Sequence, residues 1–245
     1  KLLVTTGMRN ASIDVAAANQ CGIVVCGTPG EPHATAELTW GLILSLLRQI
    51  PTEDAATRNG AWQTGLGTGL AGKTLGLLGL GRLGSQVAKV GLAFQMKVIA
   101  WSQNLDEERA AGMGVTRVER NALLEQSDVV SIHLVLSNRT RGLIGEDELR
   151  SMKPTACLIN TSRGPIVEEA ALVSALKGGQ IAGAGLDVFD IEPLPADHSL
   201  RLLPNTVITP HLGYVTRETY AIFYTSALEA IVAFRDGNPV RVLGP

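Results

Sequence analysis

The sequence is poor in cysteine, and this excludes several classes of protein. Its 245 residues contain only three cysteines, Cys21, Cys26 and Cys157, with no C-x-x-C pair among them. An odd number at this spacing argues against a disulfide framework and against a structural zinc site, so we expect no metal and a reducing compartment, the cytoplasm. We expect the three thiols to be small, buried apolar side chains.

Net charge is also low, and no apolar run is long. The 21 lysines and arginines stand against 23 aspartates and glutamates, a net charge of −2, which argues against general binding to nucleic acid or to an anionic membrane. The longest apolar run, around Leu42–Leu47, is interrupted by Ser45 and is far shorter than the ~20 residues of a membrane span. It predicts a buried helix. The chain does not open with a secretory signal pattern.

Short apolar runs alternate with helical patterns along almost the whole chain. Strands are predicted at 2–5, 23–26, 74–78, 98–101, 129–134, 157–161, 183–188 and 207–209, and helices at 12–19, 34–48, 83–94, 120–126, 146–152, 168–177 and 216–235. Continuously apolar strands are typical of strands buried on both faces. Their alternation with helices predicts an α/β fold with a doubly wound parallel sheet, together with part of a second α/β domain.

A change of composition divides the chain. The stretch 51–72 is rich in Gly, Thr and Ala without an apolar period, which is typical of a connection between two bodies. Six predicted strands follow it, enough for a dinucleotide-binding domain over 51–212 with its linker at 51–72. Only two strands precede it, so residues 1–50 are expected to be the C-terminal part of a substrate domain whose start is missing. The helix within 213–245 is expected to return to that substrate domain.

A glycine-rich loop follows one of the predicted strands. Gly79, Gly81 and Gly84 form G-x-G-x-x-G directly after an apolar strand and at the start of an amphipathic helix, which is the context this motif requires. Gly79 permits the tight turn, Gly81 lets the backbone approach a pyrophosphate, and Gly84 lets helix and strand pack closely. With Arg82 and Leu83, the loop predicts a dinucleotide site at the helix N-terminus.

The sequence does not decide between NAD and NADP. Ser102 stands 18 residues after Gly84, about where an acid would bind the ribose hydroxyls of NAD. A serine supplies no carboxylate to repel a 2′-phosphate, and Arg82 in the glycine loop could supply positive charge. Asp106 and Glu107 lie beyond the strand end and are expected to begin a solvated helix.

An arginine, an acid and a histidine follow three successive predicted strands. They are Arg163, Glu192 and His211. Ligands of a doubly wound sheet bind outside the carboxyl ends of its strands, so folding is expected to bring these three side chains together. His133 ends another strand, and two interpretations stay open for it: it lines the cofactor cleft, or it packs structurally.

Four longer segments carry a resemblance to a known family. They are GKTLGLLGLGRLG at Gly72–Gly84, MKPTACLINTSRGPIV at Met152–Val167, GLDVFDIEP at Gly185–Pro193 and PHLG at Pro210–Gly213. In these segments the chain resembles the D-isomer-specific 2-hydroxyacid dehydrogenases, which include phosphoglycerate dehydrogenases and glyoxylate/hydroxypyruvate reductases. AELTWGLILSLLR at Ala36–Arg48 resembles the interdomain helix of that family. The resemblance implies a Rossmann domain, part of a flavodoxin-like substrate domain, and hydride transfer between NAD(P)H and a small 2-oxo acid or D-2-hydroxy acid.

The resemblance also implies roles for individual residues. Arg163 would hold the substrate carboxylate and carbonyl. His211 would protonate the carbonyl oxygen, or act as the base in reverse, and Glu192 would hydrogen-bond His211 and fix its tautomer. Asp187 would lie by the nicotinamide. The remaining implied contacts are Leu134, Thr140, Thr161, Ser162 and Gly213 with the cofactor, and Thr6, Gly7 and Met8 with the substrate.

Two other functions fit parts of this pattern. Corepressors of the same family use the fold as a dinucleotide-sensing dimer and can retain Arg163, Glu192 and His211, but no long interaction tail is seen. A hydrolase built on Ser162 and His211 would need G-x-S-x-G, and Asn160 stands where the first glycine is required. The resemblance further implies a homodimer. It leaves glyoxylate, hydroxypyruvate and phosphohydroxypyruvate open as substrates.

Overall fold

The computed structural model describes residues 1–10 and 12–244. Its strands are β1 (Leu2–Val4), β2 (Val24–Cys26), β3 (Thr74–Leu78), β4 (Lys97–Trp101), β5 (Thr116–Arg117), β6 (Val129–Ile132), β7 (Cys157–Asn160), β8 (Gly183–Leu186) and β9 (Thr206–Ile208). Its helices are α1 (Val15–Gln20), α2 (Ala34–Leu47), α3 (Ile50–Arg58), α4 (Arg82–Ala93), α5 (Glu107–Ala111), α6 (Arg120–Gln126), α7 (Glu146–Ser151), α8 (Glu169–Lys177) and α9 (Arg217–Arg235). Strands and helices alternate as predicted.

The smaller of two compact units consists of Lys1–Ala34 and Tyr214–Pro245. Its sheet is the parallel pair β1 and β2, with Leu2 opposite Val24. Helix α9 packs against β1. The end of the chain adds to β2, because the Leu243 amide donates to the Val25 carbonyl at 2.8 Å.

The larger unit, Thr35–Gly213, is built on one parallel sheet of seven strands. The strand order is β5-β4-β3-β6-β7-β8-β9. Strand β3 lies between β4 and β6, and the chain changes its direction of winding there. The carboxyl ends of β3 and β6 therefore flank the crevice where such sheets bind their ligands. This arrangement confirms the predicted doubly wound α/β fold.

The core explains why these sequences form the sheet. Leu75, Leu77, Leu78, Ile132 and Leu158 are fully buried in the central strands, and burial of each such side chain contributes about 1.5–3 kcal/mol. Two groups of buried apolar residues cover the sheet. The continuous apolar runs of the sequence correspond to this burial on both faces.

Two elements and one thiol differ from the sequence predictions. Strand β5 has only two residues and was not predicted. Helix α3 lies at the start of the predicted linker 51–72; it buries no residue, so the apolar period that would have indicated it is missing. An Arg58–Asp54 ion pair spans one turn of α3, and Pro51 occupies its first turn. All three thiols are free and Cys26 and Cys157 are buried, but Cys21 is exposed, so the burial prediction is wrong for Cys21.

Helix α2 belongs to the larger unit. The composition-based division places residues 1–50 in a substrate domain, whereas the compact units meet in sequence at Ala34 and Thr35. The reason is packing: Trp40 donates its indole N–H to the Val87 carbonyl at 3.3 Å, and Trp40 and Ile43 join the core of the larger unit. At the other end the units divide after Gly213, and Tyr214–Pro245 groups with Lys1–Ala34.

Candidate active site

The glycine loop between β3 and α4 has the geometry of an anion cradle. Gly79 has φ +104°, and a Cβ there would lie 2.6 Å from the His133 carbonyl oxygen and 3.2 Å from a methyl group of Leu134. A Cβ on Gly84 would collide with the Gly79 carbonyl oxygen, whereas a Cβ on Gly81 would meet open space. Helix α4 has no side-chain cap, so its first N–H groups are available to an anion. These features fit a dinucleotide pyrophosphate.

His133 lies beside this loop, at the end of β6. Its amide donates to the Leu78 carbonyl at 2.8 Å, and its Nε2 lies 3.0 Å from the Ser131 hydroxyl. Its Nδ1 is buried and has no hydrogen-bond partner among the described residues. Burial lowers the pKa of His133 to about 4, so the ring is neutral at physiological pH.

The end of β4 carries no carboxylate available to a ribose. Ser102 accepts the Leu105 amide on its carbonyl at 3.1 Å. Asp106 caps α5 by accepting the Arg109 amide at 2.7 Å, which confirms the predicted helix start. The Arg109 guanidinium donates to the Leu80 carbonyl of the glycine loop at 3.5 Å. No motif in the sequence marks Arg109, because only folding brings α5 next to the loop.

His211 and Glu192 form a hydrogen-bonded pair. His211 Nδ1 lies 2.6 Å from one Glu192 oxygen, and the other Glu192 oxygen accepts the Phe189 amide at 3.0 Å. The two side chains are 33% and 35% exposed. Because Nδ1 is held by Glu192, Nε2 is the ring nitrogen suited to proton exchange with a ligand. The pair borders a cavity of about 510 Å³ whose apolar wall is formed by Phe189, Pro193, Leu194, Ile208 and Pro210.

Arg163 projects from the loop after β7. Its side chain is exposed, and one guanidinium N–H donates to the Ser162 carbonyl at 2.6 Å. Gly164 follows at a point where a Cβ would collide with the Phe189 main chain, so only glycine fits behind the arginine. Phe189 thereby contacts the Arg163 loop and, through its amide, Glu192.

Several predicted cofactor residues have their hydroxyls bonded within the protein. The Thr161 hydroxyl shares a 2.9 Å hydrogen bond with the Thr39 hydroxyl of α2. The Ser162 hydroxyl donates to the Ile132 carbonyl at 2.8 Å and not to a histidine, which disfavours the hydrolase alternative. The Thr140 hydroxyl donates to the Val135 carbonyl at 2.7 Å and so closes its own turn.

Asp187 and Gly213 meet at the end of β8. Asp187 is 1% exposed, and its carboxylate accepts the amides of Leu212 and Gly213 at 2.7 and 2.8 Å. The Gly213 carbonyl accepts the Thr35 hydroxyl at 2.9 Å. The structure therefore links Asp187 directly to the loop that carries His211.

The predicted substrate residues Thr6, Gly7 and Met8 belong to the smaller unit. Gly7 has φ +82°, and its amide donates to the Thr28 hydroxyl at 2.9 Å. Met8 is 47% exposed. This loop is therefore held by its own unit and presents Met8 to solvent.

Neither a membrane span nor a metal cluster is found in residues 1–10 and 12–244. Helices in this part of the chain are too short or too polar to cross a membrane. In the same residues, three or more His, Cys, Asp or Glu side chains nowhere gather in a way that could hold a metal ion.

Comparisons with known proteins agree with the geometry. A family model described as "D-isomer specific 2-hydroxyacid dehydrogenase, NAD binding domain" matches residues 40–213. The chain is 47% identical over 237 residues to a glyoxylate reductase of Aeropyrum pernix, covering 93% of this chain and 71% of that one. It is 40% identical over 244 residues to a D-3-phosphoglycerate dehydrogenase of Archaeoglobus fulgidus, covering 98% of this chain and 46% of that one. The crystal structure of a putative D-3-phosphoglycerate dehydrogenase of Ralstonia solanacearum has a TM-score of 0.93 at 40% identity, covering 100% of this chain and 78% of that one.

These matches confirm the resemblance seen in the four sequence segments. The family model covers the glycine loop, the Arg163 loop and the PHLG segment in one continuous match. The reaction class is therefore hydride transfer between NAD(P)H and 2-oxo or D-2-hydroxy acids, and these matches do not favour the corepressor alternative. The chain belongs to the D-isomer-specific 2-hydroxyacid dehydrogenases.

Proposed function

We propose that this chain reduces a small 2-oxo acid to the 2-hydroxy acid, with Arg163, Glu192 and His211 acting on the substrate. The observation that carries the proposal is the 2.6 Å contact between His211 Nδ1 and Glu192. It lies beside a cavity, after strands of the sheet that also carries the glycine loop. A histidine held in one tautomer by a carboxylate suits general acid–base catalysis.

Each of the three residues has a defined task in this proposal. Arg163 binds the substrate carboxylate, because a guanidinium matches a carboxylate in a bidentate geometry. His211 gives a proton from Nε2 to the carbonyl oxygen in reduction and takes it back in oxidation. Glu192 orients the ring and fixes its tautomer. When bound, NADH or NADPH supplies the hydride.

The glycine loop and its neighbours would hold the dinucleotide. Gly81, Arg82 and Leu83 would present the start of α4 to the pyrophosphate, with Leu134 beside Gly79. Thr161, Ser162, Asp187 and Gly213 would line the nicotinamide side, with Thr140 further out. Ser102 offers no carboxylate against a 2′-phosphate, and Arg109 adds positive charge next to the loop. Both features favour acceptance of NADPH as well as NADH.

Glyoxylate is the substrate to test first, because a glyoxylate reductase is 47% identical to this chain. Initial rates of NADH and NADPH oxidation should be measured with glyoxylate, hydroxypyruvate and phosphohydroxypyruvate. We expect turnover with at least one of them and a strong loss in R163A. R150A is the matched control, because Arg150 pairs with Asp147 on the exposed face of α7 and should keep wild-type rates. Equal rates in R163A and wild type would refute the assignment of Arg163.

Phosphohydroxypyruvate is the second candidate substrate. It is favoured by 40% identity to a D-3-phosphoglycerate dehydrogenase. The same panel separates the two, because a phosphohydroxypyruvate enzyme should prefer that substrate over hydroxypyruvate.

The proposed assembly is a cytoplasmic homodimer. Trp62 is 78% exposed and Leu66 is 94% exposed, in the segment that follows α3. Large apolar side chains exposed four residues apart in the sequence suit a contact surface, and a two-fold interface would bury them in both copies. The three free thiols suit a reducing compartment.

A further inference from the structure

Two buried polar residues lie where the neighbouring strands β7 and β8 end. Asn160 and Asp187 are each 1% exposed, and the Asp187 amide donates to the Asn160 carbonyl at 3.0 Å. Burying a polar side chain costs free energy unless its atoms are hydrogen-bonded. Their hydrogen-bond partners therefore show what these two residues hold in place.

Asn160 holds the loop that carries Arg163. Its Nδ2 donates to the Arg163 carbonyl at 3.0 Å, and its Oδ1 accepts the Ser162 amide at 3.0 Å. The nitrogen and the oxygen of the side-chain amide thus both form hydrogen bonds with the same short loop. This fixes the backbone position from which the Arg163 guanidinium extends.

Asp187 holds the loop that carries His211. One carboxylate oxygen accepts the Thr209 hydroxyl at 2.6 Å and the Leu212 amide at 2.7 Å, and the other accepts the Gly213 amide at 2.8 Å. The Asp187 carbonyl accepts the His211 amide at 2.8 Å. These bonds surround His211, whose φ of +56° is a conformation that a residue with a side chain rarely adopts.

We propose that Asn160 and Asp187 are a linked pair of positioning residues that fix Arg163 and His211 relative to one another. This inference rests on the proposed roles of Arg163 and His211. It adds a positioning task for Asp187 to the nicotinamide contact that the sequence resemblance implies. A carboxylate has about four acceptor positions, and three of them are taken by the His211 loop.

The test for Asn160 is N160D. Aspartate keeps the shape and still accepts the Ser162 amide, but it cannot donate to the Arg163 carbonyl. We expect the KM for glyoxylate to rise by about 10-fold or more, because small displacements of a substrate-binding group have effects of this size. The dissociation constant for NADH, measured by fluorescence, should stay within about two-fold. N205D is the matched control, because Asn205 makes one similar bond, to the Leu176 carbonyl, away from both loops.

The test for Asp187 changes Thr209, whose hydroxyl donates to the Asp187 carboxylate. The carboxylate itself therefore stays intact. T209V removes the hydroxyl and T209S keeps it. We expect kcat to fall by about 10-fold in T209V with little change in the KM for glyoxylate or the NADH dissociation constant, and T209S to restore kcat. If the Thr209 hydroxyl were needed only for stability, T209V would lower the melting temperature but would not lower kcat selectively over KM.

Two outcomes would overturn the inference. One is unchanged kinetics in folded N160D and T209V; the other is a loss of turnover that follows a loss of NADH affinity. R163A and H211Q are measured alongside. They distinguish a failure of the positioning role from a failure of the proposed function. If those two variants keep full activity, the roles of Arg163 and His211 fail. If they lose it while N160D and T209V do not, only the positioning role fails.

Discussion

At the scale of single residues, the contact between His211 and Glu192 is the feature that most directly indicates acid–base chemistry. In H211Q the side chain can still form hydrogen bonds but cannot give up a proton. We expect kcat for oxo-acid reduction to fall by about 100-fold or more, while NADH binding persists, because the proton is needed only in the transition state. Initial rates and NADH fluorescence titration measure the two effects.

The chain contains a matched control for this variant. His198 also pairs with a carboxylate, Glu169, at 2.9 Å, but it stands 13 residues before His211 and does not line the cavity beside that residue. H198Q should therefore keep wild-type turnover. If H211Q and H198Q behave alike, His211 is not the acid–base group.

Ser102 controls the choice of cofactor in our interpretation. S102D would place a carboxylate at the end of β4, where it repels a 2′-phosphate and accepts hydrogen bonds from ribose hydroxyls. We expect the ratio of kcat/KM for NADPH to that for NADH to fall by about 10-fold or more. The same ratio measured in S199D, a serine in a separate turn at residues 199–201, should not change. A constant ratio in S102D would mean that cofactor choice is set elsewhere.

At the scale of elements, the glycines in the turn from β3 to α4 have different roles, one in cofactor binding and one in stability. A methyl group at position 81 meets open space, whereas at position 84 it collides with the Gly79 carbonyl. We expect G81A to keep the wild-type melting temperature but to lose NADH affinity, because the pyrophosphate approaches there. G84A should lower the free energy of unfolding by several kcal/mol.

Thermal melts and NADH titrations on both variants check this separation. G69A is the control, because a Cβ on Gly69 also meets open space and that residue lies outside the loop. Wild-type NADH affinity in G81A would show that the pyrophosphate does not bind at this turn.

The elements that bury an apolar face are the ones predicted best from the sequence. The predicted ranges for β3 and α6 match the structure, because Leu75 to Leu78 and Leu123 with Leu124 are buried. Strand β5 was not predicted because it has only two residues. Helix α3 was not predicted because it buries no residue. Such elements are stabilised by neighbouring backbone and by local ion pairs, which leave no apolar period.

At the scale of the whole molecule, parallel topology explains why the site could be foreseen in part. The carboxyl ends of neighbouring parallel strands meet at one edge, so Arg163, Glu192 and His211 could be grouped from strand order alone. The hydrogen bonds of Asn160 and Asp187 could not, because they depend on where loop carbonyls and amides lie after folding. Arg109 was missed for the same reason.

His133 makes the stability of the molecule depend on pH. Burial lowers its pKa from 6.5 to about 4. Between these values the unfolded chain binds a proton that the folded protein does not, so stability falls as the pH falls. At pH 5 this loss is about 2 kcal/mol relative to neutral pH.

H133N removes this contribution, and urea unfolding at pH 7.5 and pH 5 measures it. We expect the difference in unfolding free energy between the two pH values to be smaller in H133N than in wild type. The same substitution at the exposed His33 should leave the wild-type difference in place. An equal pH dependence in wild type and H133N would mean that folding does not lower the pKa of His133.

The proposed dimer makes a prediction about mass. If Trp62 and Leu66 are buried between two copies, sedimentation equilibrium should give twice the chain mass of 25.8 kDa. W62E/L66E should give the mass of one chain, because burying two carboxylates in each half of an apolar interface costs several kcal/mol. L202E is the control: Leu202 is 82% exposed but lies in another part of the sequence, so this variant should keep the dimer mass. A dimer that survives W62E/L66E must use a different surface.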